Sequence, residues 1–198
     1  MISELWIYFE KGLRHILNLS AYDHILFLIA LTVPYAFKDW RRLLLLISIF
    51  TVGHTLSLMS TVFGVVFIKV NLVEFLIPIT ILIIAFFNLF TAGKSSKQDR
   101  ISIIGFVTLF FGIIHGLSFA GYLKTIGGGS PQSKLLPLLE YSLGIEAAQI
   151  IVIFIVLILS YIVQTFFRFS KRDWTLVMSA FVIGVVLPMI LSSNIWNR

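Results

Sequence analysis

Residues 138–167 read LLEYSLGIEAAQIIVIFIVLILSYIVQTFF. After Glu146 no charged residue appears until Arg168, and the run between them is mostly Ile, Val, Leu and Phe. About 20 apolar residues are enough to cross a bilayer as a helix. This run is long enough to cross at a tilt or to leave its ends in the interface. Five further apolar runs flank it, at about 19–37, 43–68, 72–91, 101–123 and 174–195. Period-2 alternation is sustained nowhere, and the runs are far longer than barrel strands, which argues against a closed barrel.

Composition agrees. The chain has 198 residues, 59% of them hydrophobic and only 12% charged, with mean hydropathy +1.01. Soluble domains carry roughly 25% charged residues, and a chain of this size cannot hide so much apolar surface from water. Disorder requires the opposite balance. The spans leave no room for a separate soluble domain. The expectation is an all-α integral membrane protein, residues 1–198 forming one transmembrane domain. Six membrane helices are preceded by a seventh, N-terminal helix over 4–17. In that segment Leu5, Trp6, Phe9, Leu13, Ile16 and Leu17 recur at helical spacing among Glu4, Glu10, Lys11 and Arg14. Such a pattern reads as an amphipathic helix at the interface or against the bundle, or as a short membrane-associated segment.

The net charge of +6 lies in loops rather than in a nucleic-acid-binding patch. Lys38, Arg41 and Arg42, then Lys94, Lys97 and Arg100, then Arg168, Lys171 and Arg172 put nine basic residues on one side. Lys11, Arg14, Lys69, Lys124, Lys134 and Arg198 put six on the other. By the positive-inside rule the three basic loops face the cytoplasm and both termini face outward. This suits a bacterial inner or cytoplasmic membrane. The first residues lack a positive n-region and a small-residue cleavage site. The glycine-rich 127–133 segment joins no strand to a helix and does not read as a phosphate loop.

The exceptions to apolarity carry the chemistry. His15, His24, His54, His115, Asp23, Glu74 and Glu146 lie in or beside the runs. Ionisable groups there are costly and mark cavities, partners or pathways. At 1.5 Å per residue, His54 lies about 17 Å past Leu43 and His115 about 21 Å past Ile101. His24, Glu74 and Glu146 lie roughly 8, 3 and 12 Å inside their outer helix ends. All five fall in the outer half or near the midplane, as one shared site would require. With no cysteine in the chain, ligands are limited to imidazole, carboxylate and amide. That set suits a divalent transition metal, Zn²⁺ included. Asp23 and His24 point about 100° apart on a helix, so one can ligate while the other orients a ligand. Gln149 shares a face with Glu146. Gln149, Ser57 and Asn88 are candidates for supporting the ligands or for joining helices. Gly112 and Gly116 bracket His115 at small-xxx-small spacing, and Gly53 precedes His54.

The motifs GLRHI (12–16), YDHILFLIAL (22–31), FTVGHTLSL (50–58), VEFLIPITILIIAFFNL (73–89), FGIIHGLSFAGYL (111–123) and LGIEAAQI (143–150) run through nearly the whole chain. In them the chain resembles the HupE/UreJ family of small membrane proteins. The resemblance implies a nickel or cobalt permease supplying metal to hydrogenase or urease maturation, with a metallochaperone or maturation system as partner. It nominates His15, Asp23, His24, His54, Glu74, His115 and Glu146 as metal-handling residues. The link ILNLSAY at 16–22 lacks the glycine expected there, which bears on the aim of His15. No nucleotide-binding motif and no catalytic set beyond these residues is present, so transport rather than enzymatic turnover is expected. Two rivals remain open at this stage. One is an intramembrane zinc hydrolase using His24, His54 and His115 with Asp23 or Glu146 as base. The other is a metal-sensing or partner-binding subunit that moves nothing.

Overall fold

The structure, a computed structural model, describes residues 2–18, 22–66, 68–93, 100–118 and 131–196. The chain is an all-α, multi-span integral membrane protein. Its helices are α1 (Ile2–Leu17), α2 (Asp23–Thr32), α3 (Trp40–Val62) led by a 3₁₀ turn at Phe37–Asp39, α4 (Val70–Thr91), α5 (Arg100–Ser118), α6 (Pro131–Phe166) and α7 (Lys171–Leu191). Of these seven helices among the described residues, four are long and apolar enough to cross a membrane: α3 with its 3₁₀ lead, α4, α6 and α7. Four of the six expected spans are therefore met among the described residues. Helix α2 and the apolar 104–118 portion of α5 are shorter.

The differences from the expected spans have local causes. The first run was expected to cross over 19–37, but its helix occupies only Asp23–Thr32, or about 15 Å. Pro34 has no N–H to continue the ladder. The carbonyl it would have engaged, on Ala30, instead accepts the Asn88 Nδ2–H from α4 at 2.6 Å. Asn88 therefore closes the end of α2. The second run was expected to reach residue 68, but α3 stops at Val62. Gly64 adopts a left-handed φ of 73°, and Val65 and Gly64 donate to Ser60 and Thr61 at 2.8 and 3.1 Å. That is a Schellman cap, and it ends the helix inside an unbroken apolar run. Helix α7 begins at 171 because Ser170 accepts the Asp173 N–H and donates to its carboxylate, a reciprocal cap. Helix α6 begins at Pro131, whose fixed φ suits a first helical position. At 36 residues it is about 54 Å long, well beyond the ~30 Å apolar core. Residues 19–21 and 119–123, the remaining parts of the expected first and fourth spans, lie outside the described residues.

Two close backbone approaches assemble the bundle. Helices α3 and α5 meet through glycine. A Cβ on Gly53 would strike the Leu109 carbonyl, one on Gly112 the Phe50 carbonyl, and one on Gly116 the His54 carbonyl and Ser57 hydroxyl. Helices α1 and α6 meet in the same way, Gly12 against the Tyr141 carbonyl and Gly144 against that of Phe9. Without a solvent-driven hydrophobic effect between helices in lipid, such contact and interhelical hydrogen bonds hold a bundle together. The hydrogen bonds are supplied by a ladder between α3 and α6. Ser48 donates to Glu146 at 2.6 Å, Thr51 to Gln149 at 2.9 Å and Thr55 to Ser142 at 2.8 Å.

Glycine contact predicts an unequal response to one added methyl group. Gly112→Ala forces α3 and α5 apart and should destabilise the protein by about 1–3 kcal/mol. Gly184→Ala, where a new Cβ meets nothing within 4 Å, should leave stability unchanged or slightly raised. Thermal unfolding of the two variants in the same detergent checks the difference.

Candidate metal centre

Four helices deliver four histidines to one place. His15 comes from the last turn of α1 and His24 from the first turn of α2. His54 sits about 18 Å along α3 from Arg42, and His115 near the end of α5. His24 is the hub. Its ring centroid is 4.8 Å from that of His15, 5.0 Å from that of His115 and 6.0 Å from that of His54. His15 and His54 are 6.1 Å apart. Two overlapping sets offer ligand atoms within 4.8 Å of one another: His15, His24 and His54, and Asp23, His24 and His115. His24, His54 and His115 are 2%, 0% and 0% exposed, so bulk solvent does not reach their rings.

Hydrogen bonding indicates which nitrogen atoms are available. His24 Nδ1 lies 3.1 Å from Asp23 Oδ1. An ionised carboxylate only accepts, so Nδ1 carries the proton and Nε2 keeps its lone pair. Thr80 on α4 donates its hydroxyl proton to the Ile77 carbonyl at 2.7 Å. Its oxygen is left to accept from His115 Nε2 at 3.4 Å, which frees His115 Nδ1 as a ligand. Asp23 and Thr80 thus hold two imidazoles as outer partners hold metal ligands. Among the described residues, His24 Nε2, both ring nitrogens of His54 and His115 Nδ1 are buried without a hydrogen-bond partner. Each such atom costs roughly 1–3 kcal/mol when left unpaired. Coordination of a cation by neutral imidazoles would relieve that cost.

The other nominated residues are placed as follows. Glu74 is exposed on the first turns of α4, and Glu146 is half-buried and takes the Ser48 hydroxyl. Neither belongs to the ligand sets found among the described residues. Gln149 is fully buried and accepts from Thr51. The Ser57 hydroxyl donates to the His54 carbonyl at 3.2 Å, and Asn88 closes α2. His15 does reach the cluster despite the glycine-free link, because Gly12 lets α1 press onto α6 and its ring stands 5.9 Å from that of Tyr141.

Sequence reasoning passed over Thr80 and an aromatic layer. Phe27, Phe50 and Phe111 are buried directly beside the histidines. Phe27 stacks on Phe50 at 4.6 Å and meets Phe111 edge-on at 6.3 Å. Phe27 and Phe50 each lie 5.3 Å from His115. A signal for this layer was present. His24 precedes its phenylalanine by three residues, while His54 and His115 follow theirs by four. Helix α2 runs toward the basic loop at 38–42 and α3 runs away from it, so Phe27 and Phe50 fall on the basic-loop side of the histidines. α5, which starts at Arg100, places Phe111 there too.

The sequence profile of the family described as HupE / UreJ protein matches residues 1–193. No curated protein and no solved structure matches the chain.

The hub geometry predicts a graded loss of metal binding. His24→Ala removes a ligand common to both sets and should abolish binding of divalent transition-metal cations by the purified protein. Asp23→Asn keeps the side-chain shape and removes the charge, and should weaken binding about 10–100-fold, the range for outer partners of metal ligands. Equilibrium dialysis with elemental analysis measures both.

Proposed function

The chain belongs to the HupE/UreJ family, and from that premise we propose that it carries a divalent transition-metal cation, nickel or cobalt, across the membrane through its buried histidine cluster. The observation that carries this reading is the convergence of His15, His24, His54 and His115 from four helices inside an apolar bundle, with ring nitrogens of His24, His54 and His115 unpartnered among the described residues. A structural histidine uses its nitrogens within the protein, whereas a cargo site leaves them for the cargo. Imidazole donors suit late first-row divalent ions. The family resemblance narrows these to nickel or cobalt, delivered to a metalloenzyme-maturation system.

In this mechanism the incoming cation exchanges water for His24 Nε2 and His115 Nδ1, which with Asp23 form one set, and then for His54, which with His15 and His24 forms the other. Asp23 balances part of the charge and holds the His24 ring. His15 reaches the same hub from the other flank and offers a replacement ligand as the ion shifts. Glu74, exposed near the start of α4, attracts cations from the outer side. Toward the basic loops the route is closed by Phe27, Phe50 and Phe111. Dehydrated apolar constrictions of this kind gate pores, so release inward requires the layer to part. Binding has to stay weak enough for the ion to leave.

Reconstitution in liposomes tests the reading, with internal Ni²⁺, Co²⁺ and Zn²⁺ followed against pH and voltage. The expected result is flux of Ni²⁺ or Co²⁺ above that of empty vesicles, lost in His54→Ala and His115→Ala. Phe27→Ala should raise flux several-fold at unchanged metal affinity, because it thins the barrier and removes no ligand. No flux above empty vesicles would sink autonomous transport. A tightly retained Zn²⁺ with turnover of lipid or peptide would favour the hydrolase instead.

A further inference from the structure

On the far side of the phenylalanine layer a cavity of about 680 Å³ opens at the basic-loop end of the bundle, bounded by α2, the start of α3, α4, α5 and α7. This is within the range of small-ligand pockets, roughly 300–1,000 Å³. Among the described residues its lining carries Lys38, Arg42, Lys171 and Arg172 against a single carboxylate, Asp39. That carboxylate is already engaged by the Ala36 N–H at 3.0 Å. The Arg172 stem is held over Gly93, with Cδ 3.0 Å from where a Cβ would stand. The Arg42 guanidinium lies over the Tyr35 ring. Its Nη2 is buried with no hydrogen-bond partner among the described residues. Deeper in, Thr108 lines the cavity at 1% exposure, and its hydroxyl likewise has no partner among the described residues.

The positive-inside rule accounts for basic loops. It does not account for four cations from two separate segments around one cavity, or for a guanidinium nitrogen and a buried hydroxyl within it that are unpartnered among the described residues. A mouth with this charge attracts an anion. The walls specify more than a soluble anion. Leu31, Ile84 and Val107 make them apolar, and Ile83 and Phe87 line the cavity while remaining 52% and 46% exposed. They carry the apolar wall out onto the lipid-facing surface of α4.

We propose that this cavity binds an anionic phospholipid of the adjoining leaflet. Its phosphate sits among Lys38, Arg42, Lys171 and Arg172, and an acyl chain runs out along Ile83 and Phe87. Basic pockets between membrane helices hold anionic headgroups in this way. The lipid also fills the space beside Ala30, Leu31 and Pro34 at the end of the short helix α2, and so braces the element that carries His24.

The test uses the full chain, delipidated in mild detergent and titrated separately with phosphatidylglycerol, phosphatidylcholine and inorganic phosphate. Lipid retention by native mass spectrometry and the thermal unfolding midpoint are read together. Phosphatidylglycerol should be retained and raise the midpoint, while the other two should do neither at matched concentration. Lys38→Gln and Arg172→Gln, both at exposed positions, should each weaken phosphatidylglycerol binding roughly five-fold, since a basic residue near anionic lipid is worth about 1 kcal/mol. Arg42→Gln should do so more strongly, and if it fails to fold the two exposed variants carry the test. Equal retention of phosphatidylcholine, equal protection by inorganic phosphate, or undiminished binding in the Lys38→Gln/Arg172→Gln double variant would each overturn the proposal. Ni²⁺ binding measured on the same double variant should match wild type, so failure here leaves the transport reading to stand or fall separately.

Discussion

The distance between the α3 and α5 backbones governs the rest of the molecule. Gly53, Gly112 and Gly116 let the two helices touch carbonyl to Cα, and His54 and His115 are set at that seam. A single methyl group at any of the three meets main-chain atoms, which cannot move aside without moving a helix. The same device recurs where Gly12 and Gly144 bring α1 onto α6 and deliver His15. In lipid, tail contacts replace side-chain contacts at little cost, so association depends on packing this close and on hydrogen bonds that have no better partner elsewhere. The centre is built at the points of closest approach because only there can short imidazole side chains from different helices meet.

Accounting for buried polar groups separates structure from function. The ladder between α3 and α6 pairs Ser48, Thr51 and Thr55 with Glu146, Gln149 and Ser142. Asn88 takes the carbonyl that Pro34 leaves unbonded. These bonds tie helix to helix and act as joints, although Gln149 Nε2 is buried without a hydrogen-bond partner among the described residues. The imidazoles are different: those of His24 and His115 are oriented by Asp23 and Thr80 with one ring nitrogen left over, and His54 has both left over among the described residues. Burial with unused donor and acceptor capacity is unfavourable for folding alone, so a ligand is the economical explanation.

The molecule is also polarised along its axis. Histidines form one level, phenylalanines the next, and a cation-rimmed cavity the last. The first level suits a cation and the last an anion, with an apolar barrier about one helical turn thick between them. Helix α2 crosses all three levels, with His24, Phe27 and then Ala30 and Leu31 a turn apart. A shift of this short helix would disturb ligand, barrier and cavity together.

Much of this was legible in the amino-acid order. The apolar runs dictated a helical membrane protein, because a bilayer forces backbone groups to bond within their own segment. The histidines and Asp23 stood out as costly exceptions in those runs, and their depths along the helices already agreed. The motifs around them pointed to the HupE/UreJ family. Helix ends were less legible, because Gly64 and Pro34 sit within apolar stretches and their effect depends on caps and on a side chain from another helix. The partners of Glu146, Gln149 and Asn88 were not legible at all, since a polar residue at a given depth reads alike whether it joins helices or binds an ion. The sequence by itself determined the class of fold and which residue types could hold a metal. Only the tertiary structure decided which of them converge, because that depends on which helix faces meet and how closely, and glycine contacts between distant segments set both.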